Sequence, residues 1–334
     1  MEMDDAQPYR VTVENSSETG SGQPFVRDDV RAFLAMLAGM NQPDMRDVPL
    51  SETRAGMAGL TALAEPPPRA LAVVRDLACP GPAGEIPLRF YDARAERGPG
   101  PLIVYFHGGG FVAGGIATAH PWCTEIAATM DLPVVSVEYR LAPEHPFPAA
   151  PDDAEAAARW LAASPAEIGR QVTGLITMGD SAGANLAIVV SQSLLLAPAA
   201  VPVIMQVPIY PPTDDIRSHP SFNQLCEDYL LTLSAIDFFD EAYRADPTDR
   251  RARPIHGPIA GLPPTVLATA GLDPLRDSGR AFAAALVNAG VDTTYLEIAG
   301  TIHGFVQLRK AISGAQADVL AIIAAAKSML ERTA

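Results

Sequence analysis

The sequence predicts an α/β fold: a mainly parallel β-sheet covered by helices on both faces. Two observations carry this. From about residue 71 onward, short apolar β-rich runs alternate with longer runs of helical spacing, as a parallel sheet with crossover helices requires. The chain has 334 residues, 48% of them hydrophobic and 19% charged. That is an ordinary globular composition, long enough to bury a large core in one big α/β domain or two smaller ones. No internal repeat interrupts the alternation.

The elements follow in chain order. The segment up to about Gly22 is polar and reads as loosely held. Across residues 27–41, Val30, Phe33, Leu34, Leu37 and Met40 keep helical spacing, with Asp28 and Asp29 near the start. A second helix is expected after Ser51, ending before the prolines at 66–68. Candidate strands are residues 71–77, 86–91, 102–106, 134–137, 174–178, 203–209, 265–270 and 293–298. Candidate helices among them are 121–130, 152–163, 182–195, 277–289 and 315–331. The two N-terminal helices and the polar, Pro-rich stretch 211–246 fall outside the alternation. Together they are expected to cap the C-terminal edge of the sheet, where ligands bind in such folds. The predicted division is therefore 1–66 for cap helices, 67–210 for the first part of the sheet domain, 211–246 for a cap insertion and 247–334 for the second part.

Charge and composition narrow the function classes. The net charge of −15 repels nucleic-acid phosphates and opposes anchoring to anionic membranes. Cys79, Cys123 and Cys226 are few, odd in number and far apart, so they read as buried thiols of a reducing compartment and not as a disulfide framework. The opening MEMDDAQPYR is acidic and polar, unlike a signal peptide, and a cytoplasmic location is expected. The apolar stretch 186–210 is broken by Ser191, Gln192, Ser193, Pro198, Pro202, Gln206 and Pro208, which divides it into a helix, a turn and a buried strand.

The chemistry is concentrated in four places. GDSAG at 179–183 stands where a strand hands over to a helix. It fits a nucleophile elbow, in which a serine sits in a strained turn and flanking glycines make room where a Cβ would clash. A plain Gly-rich turn is the alternative. About 70 residues earlier, YFHGGGFVAGG at 105–115 follows the strand PLIVYF. A phosphate cradle fails there, because no Lys-Ser or Lys-Thr follows and Ala113 occupies the third glycine position of G-x-G-x-x-G. Consecutive glycines do expose backbone N–H groups that can stabilise an oxyanion. Asp273 follows the strand at 265–270 and precedes a proline; a lone Asp-Pro turn or helix cap is its bland reading, and Asp277 is expected to cap the next helix. His303, in IAGTIHGF, follows the last strand, whereas His107 belongs to the glycine loop and should brace it. His120, His145, His219 and His256 carry no motif, and no H-E-x-x-H or Cys/His cluster suggests a metal. The order Ser181, Asp273, His303, all at strand ends, favours a nucleophile–acid–base triad.

These residues resemble the hormone-sensitive-lipase-like branch of the α/β-hydrolases, the bacterial family IV esterases. The matching runs are HGGGFVAGG, VEYRLAPEHPFPAAPDDA, GDSAGANLA, GLDPLRDSG and IHGF, spanning residues 105–305. The resemblance implies the α/β-hydrolase fold, an eight-stranded mostly parallel sheet with a helical cap. It implies Ser181, Asp273 and His303 as the triad, with the N–H groups of Gly109, Gly110 and Ala182 as the oxyanion hole. It further implies a small-molecule ester as substrate, no cofactor, and a monomer or homodimer. Ala184 departs from the family's usual glycine, which should alter packing and not chemistry; YRLAPE at 139–144 should be architectural. The triad alone leaves open an amidase, a peptidase or a lyase, and a non-catalytic receptor on the same fold.

Overall fold

The computed structural model describes residues 24–40 and 43–333, so the reading of the segment up to Gly22 lies outside the described residues. Two helices come first, α1 (Asp28–Gly39) and α2 (Leu50–Ala64). Eight strands follow: β1 (Val73–Gly81), β2 (Gly84–Asp92), β3 (Gly100–Phe106), β4 (Val134–Val137), β5 (Val172–Asp180), β6 (Val203–Ile209), β7 (Thr265–Leu272) and β8 (Thr293–Ile302). They build one sheet in the order β1-β2-β4-β3-β5-β6-β7-β8. The pairs β1–β2 and β2–β4 are antiparallel, and all the others are parallel.

The burial of each strand follows its place in the sheet. β3 sends Ile103 and Tyr105 to one face and Leu102, Val104 and Phe106 to the other, and both faces are core. That is why this strand reads as an unbroken apolar run and not as an alternation. At the sheet's edge, β1 is half exposed and carries charge; Asp76 sits opposite Arg89 in the register and pairs with it at 2.5 Å. A charged edge discourages pairing with a second sheet.

Helices α3 (Ile116–Met130), α4 (Ala149–Ala162), α5 (Ala182–Leu196), α8 (Arg276–Asn288) and α9 (Ala315–Thr333) cover the faces. α5 is apolar nearly all round and buried from Ala182 to Leu194, as a helix enclosed by core must be. α3 starts five residues ahead of the expected Pro121. The Thr118 hydroxyl accepts from the Gly115 amide at 3.0 Å, and the helix tolerates Pro121 in its second turn.

The stretch expected as an insertion holds α6 (Pro220–Leu225) and α7 (Leu233–Tyr243), the latter capped by Thr232, whose hydroxyl accepts from the Ala235 amide at 3.3 Å. One expectation is corrected. Asp277 does not cap α8; the cap position is Leu275, and Asp277 lies in the first turn. Its carboxylate accepts from the Ser221 amide at 2.9 Å and pairs with Arg276 at 2.9 Å and Arg280 at 3.0 Å, tying α6 to α8. Asp273 already holds the preceding turn, since its Oδ1 accepts from the Leu275 amide at 2.8 Å.

Candidate active site

Ser181 follows β5 directly, Asp273 follows β7 and His303 follows β8, so three parallel strands, with β6 standing between β5 and β7, deliver all three to one edge. The turn at Ser181 is sharp. Its backbone sits at φ 54° and ψ −120°, a conformation side-chain-bearing residues seldom adopt. The chain is held there by the Ser181 amide donating to the Ile209 carbonyl at 2.9 Å, and by the Ser181 carbonyl accepting from Ala184 at 2.9 Å and Asn185 at 3.1 Å. The flanking glycines are sterically required. A Cβ on Gly179 would lie 2.3 Å from the Gly183 carbonyl oxygen, and one on Gly183 would lie 2.0 Å from that of Phe106.

The three side chains form one hydrogen-bonded line. His303 Nε2 is 2.8 Å from Ser181 Oγ, and His303 Nδ1 is 2.6 Å from Asp273 Oδ2. Asp273 is fully buried, and the Leu275 amide occupies its other oxygen. An ionised carboxylate only accepts, so Nδ1 carries the imidazole proton and Nε2 faces the serine as an acceptor.

The glycine loop lies beside the serine. Among the described residues, no protein acceptor takes the amides of Gly109, Gly110 or Ala182. All three residues line the same cavity as Ser181 and His303. Helix α5 begins at Ala182, which leaves that amide and the positive end of the helix dipole facing the cavity. The loop is braced from behind. His107 Nδ1 donates to the Gly108 carbonyl at 2.8 Å, and its ring stacks on Tyr139 at 4.2 Å. The Tyr139 hydroxyl donates to the His107 carbonyl at 2.6 Å. Burial holds the His107 imidazole below the ordinary histidine range, which suits a neutral ring in this role.

The YRLAPE run joins the same framework, since the Ala142 amide donates to Phe111 at 2.9 Å and Arg140 pairs with the buried Asp153 at 2.7 Å. Arg54 of α2 reaches across to it. Its Nε donates to the Val112 carbonyl at 2.8 Å and its two terminal nitrogens clamp Glu144 at 2.7 Å each. Ala184 is fully buried in the first turn of α5.

The cavity encloses about 650 Å³. Met57 and Leu60 of α2, Leu230, Leu231 and Phe239 line it with Ser181. Sequence reasoning singled out neither Arg54 nor Asp180, and it did not place Phe239. Arg54 carries no local signal, and Asp180 was hidden inside a motif read for its serine. His120, His145, His219 and His256 stay out of the line of three; His219 instead pairs with Asp214 at 2.7 Å. Among the described residues, no group of three or more His, Cys, Asp or Glu side chains could hold a metal ion. No helix there is long and apolar enough to cross a membrane.

Residues 103–307 match a family described by the alpha/beta hydrolase fold. The chain is 37% identical to the carboxylic ester hydrolase LipN of Mycobacterium tuberculosis over 83% of its own length and 77% of that protein's. It is 34% identical to the ethyl acetate hydrolase of Pseudomonas putida, over 69% of this chain and 74% of that one. Among solved structures it resembles the ester-hydrolase EH1AB1 from the metagenome of Lake Arreo. There the identity is 36%, the TM-score is 0.87, and the match covers 92% of this chain and 99% of the other.

Proposed function

The chain belongs to the alpha/beta hydrolase fold family, in its hormone-sensitive-lipase-like branch, and from that premise we propose that it is a serine carboxylesterase acting on short- to medium-chain esters. The observation that carries this reading is the line Asp273–His303–Ser181, with separations of 2.6 and 2.8 Å, ending beside three free amides.

The chemistry follows from those positions. Ser181 Oγ attacks the ester carbonyl carbon while His303 Nε2 takes the hydroxyl proton. Asp273 fixes the imidazole tautomer and stabilises the imidazolium that forms. The N–H groups of Gly109, Gly110 and Ala182 donate to the oxyanion of the tetrahedral intermediate. As the intermediate collapses, His303 passes the proton to the departing alcohol oxygen and leaves Ser181 acylated. A water molecule, deprotonated by His303, then attacks the acyl carbon, and the serine is released with the carboxylic acid. The scheme requires neither cofactor nor metal.

The cap assignment is part of the same proposal. Helices α1 and α2 within 1–66, and the insertion 211–246, act as a cap over the sheet domain formed by 67–210 and 247–334. The apolar wall from α2, the 230–231 turn and α7 bounds the acyl side. A bounded wall favours chains of roughly two to eight carbons, since each buried CH₂ contributes about 0.8 kcal/mol only while it fits. A chain that must displace packed side chains costs about 1–3 kcal/mol. The name of the Pseudomonas relative is consistent with the short end of that range. Three buried, unpaired cysteines support a reducing, cytoplasmic setting.

The test combines a fluorophosphonate probe with a series of p-nitrophenyl esters. Labelling lost in Ser181→Ala, with a rate that rises from acetate to a short or medium ester and then falls, supports the proposal. Matched anilide substrates discriminate the bond. Labelling that persists in Ser181→Ala, or anilide rates equal to ester rates, overturns it.

A further inference from the structure

We propose that Asp180 is a positioning residue, whose buried carboxylate holds the glycine loop, the serine elbow and the histidine loop in one register. This rests on the serine-esterase reading above. A plain structural role does not demand a carboxylate at this place in the fold. Asp180 is the last residue of β5, next to Ser181, and is only 3% exposed. A carboxylate so enclosed must be well supplied with donors or it destabilises the fold.

The donors come from the glycine loop, from the strand before it, and from the segments after β6 and after His303. Oδ1 accepts from the Gly108 amide at 2.8 Å and from the Tyr105 hydroxyl at the end of β3. Oδ2 accepts two longer bonds of 3.4 Å, from the Tyr210 hydroxyl just after β6 and from Gln307 Nε2 just after the His303 turn. Gly108 immediately precedes Gly109 and Gly110, whose amides face the cavity. The fit there admits no side chain, since a Cβ on Gly108 would lie 2.4 Å from Asp180 Oδ2. Tyr210 carries the link to the base, because its ring packs 4.6 Å from that of His303. Gln307 carries it to the cap, because its Oε1 accepts from the Thr61 hydroxyl of α2 at 3.5 Å.

A carboxylate accepts all four bonds as they stand, whereas an asparagine presents one oxygen and one NH₂ group, so Tyr210 and Gln307 would have to reorient to accept from it. The expected result is a shifted glycine loop in an otherwise folded protein. Asp180 makes no hydrogen bond to Ser181 Oγ or His303, so it takes no part in proton transfer.

The test uses Asp180→Asn and Tyr105→Phe in the full chain, with Ser181→Ala as control. Three quantities are measured: kcat and KM on one short p-nitrophenyl ester, the inhibition constant of a trifluoromethyl ketone, whose hemiketal oxygen mimics the oxyanion, and the melting temperature. The expected result for Asp180→Asn is a kcat loss of about 100-fold with KM little changed, as a misplacement of about 1 Å produces. The trifluoromethyl ketone should weaken by a similar factor, which a general loosening of the fold would not impose selectively. Folded Asp180→Asn with kcat and ketone affinity near the parent overturns the inference. If Asp180→Asn does not fold, Tyr105→Phe decides: parallel losses in kcat and ketone affinity support the proposal, and parental values for both overturn it. Should the parent lack Ser181-dependent esterase activity, the underlying functional reading fails instead.

Discussion

Replacing Ser181 by glycine should yield a more stable protein than replacing it by alanine, although both lack the proposed nucleophile. The two variants lose the same Oγ and the same contact with His303, so they differ only in the Cβ. At φ 54° and ψ −120° that Cβ is strained, and a side-chain-bearing residue held in such a region costs about 1–3 kcal/mol. Glycine relieves the strain but adds freedom to the unfolded chain, which offsets about 0.5–1 kcal/mol of the gain. The net expectation is about 1 kcal/mol in favour of Ser181→Gly. With a urea m-value near 3 kcal/mol/M, this is a midpoint shift of about 0.3 M. Urea unfolding followed by circular dichroism measures the difference, with activity assays checking that both variants are equally inert. A Ser181→Gly midpoint at or below that of Ser181→Ala would refute the reasoning. The elbow would then not store strain, and the hydrogen bonds at Ile209, Ala184 and Asn185 would not be holding the chain against a preference.

Three further outcomes are expected. Asp273→Asn should lower kcat by roughly 10⁴, whereas Asp277→Asn, whose carboxylate ties α6 to α8, should leave kcat near the parent; the reverse pattern in steady-state kinetics would mean the acid is misassigned. Arg54 holds the Glu144 carboxyl down at about 2, against an ordinary 4.5. A depressed folded-state value stabilises above the unfolded one and is lost as pH falls through the folded one. The melting-temperature gap between parent and Glu144→Gln should therefore be flat above pH 4.5 and shrink towards pH 2, and a gap that widens on acidification contradicts the ion pair. Glu65 and Arg309 form a buried pair at 2.5 Å that fastens the end of α2 to the segment after His303. Breaking it with Glu65→Gln should cost about 3 kcal/mol in chemical denaturation, and a negligible change would mean that Glu125, 3.3 Å from Arg309, takes over.

What the sequence determined by itself is the part governed by local rules. The strands are legible because β3, β5, β6 and β7 are buried on both faces and so become continuous apolar runs. The elbow is legible because carbonyl oxygens within 2.3 Å leave no room for a Cβ at positions 179 and 183, so the glycines had to appear in the sequence. The order Ser181, Asp273, His303 is legible because each residue stands one position beyond a strand, and strand ends can be read from hydrophobic periodicity. Where local rules compete, the reading slips. Asp277 has the look of a helix cap, yet Asp273 had already closed that turn. Pro121 has the look of a helix start, yet Thr118 capped the helix earlier.

Tertiary structure alone decided which distant groups meet. Arg54 is separated by 90 residues from Glu144, and Asp180 by 127 from Gln307; neither pair leaves a periodic trace along the chain. The same holds for Met57, Leu230 and Phe239, which line one cavity from three segments. Their contacts follow from how the helices outside the strand–helix alternation pack over the sheet. That packing is set by the summed burial of many side chains and not by any local pattern, so the sequence names the candidate triad while the shape of the space around it is a property of the folded whole.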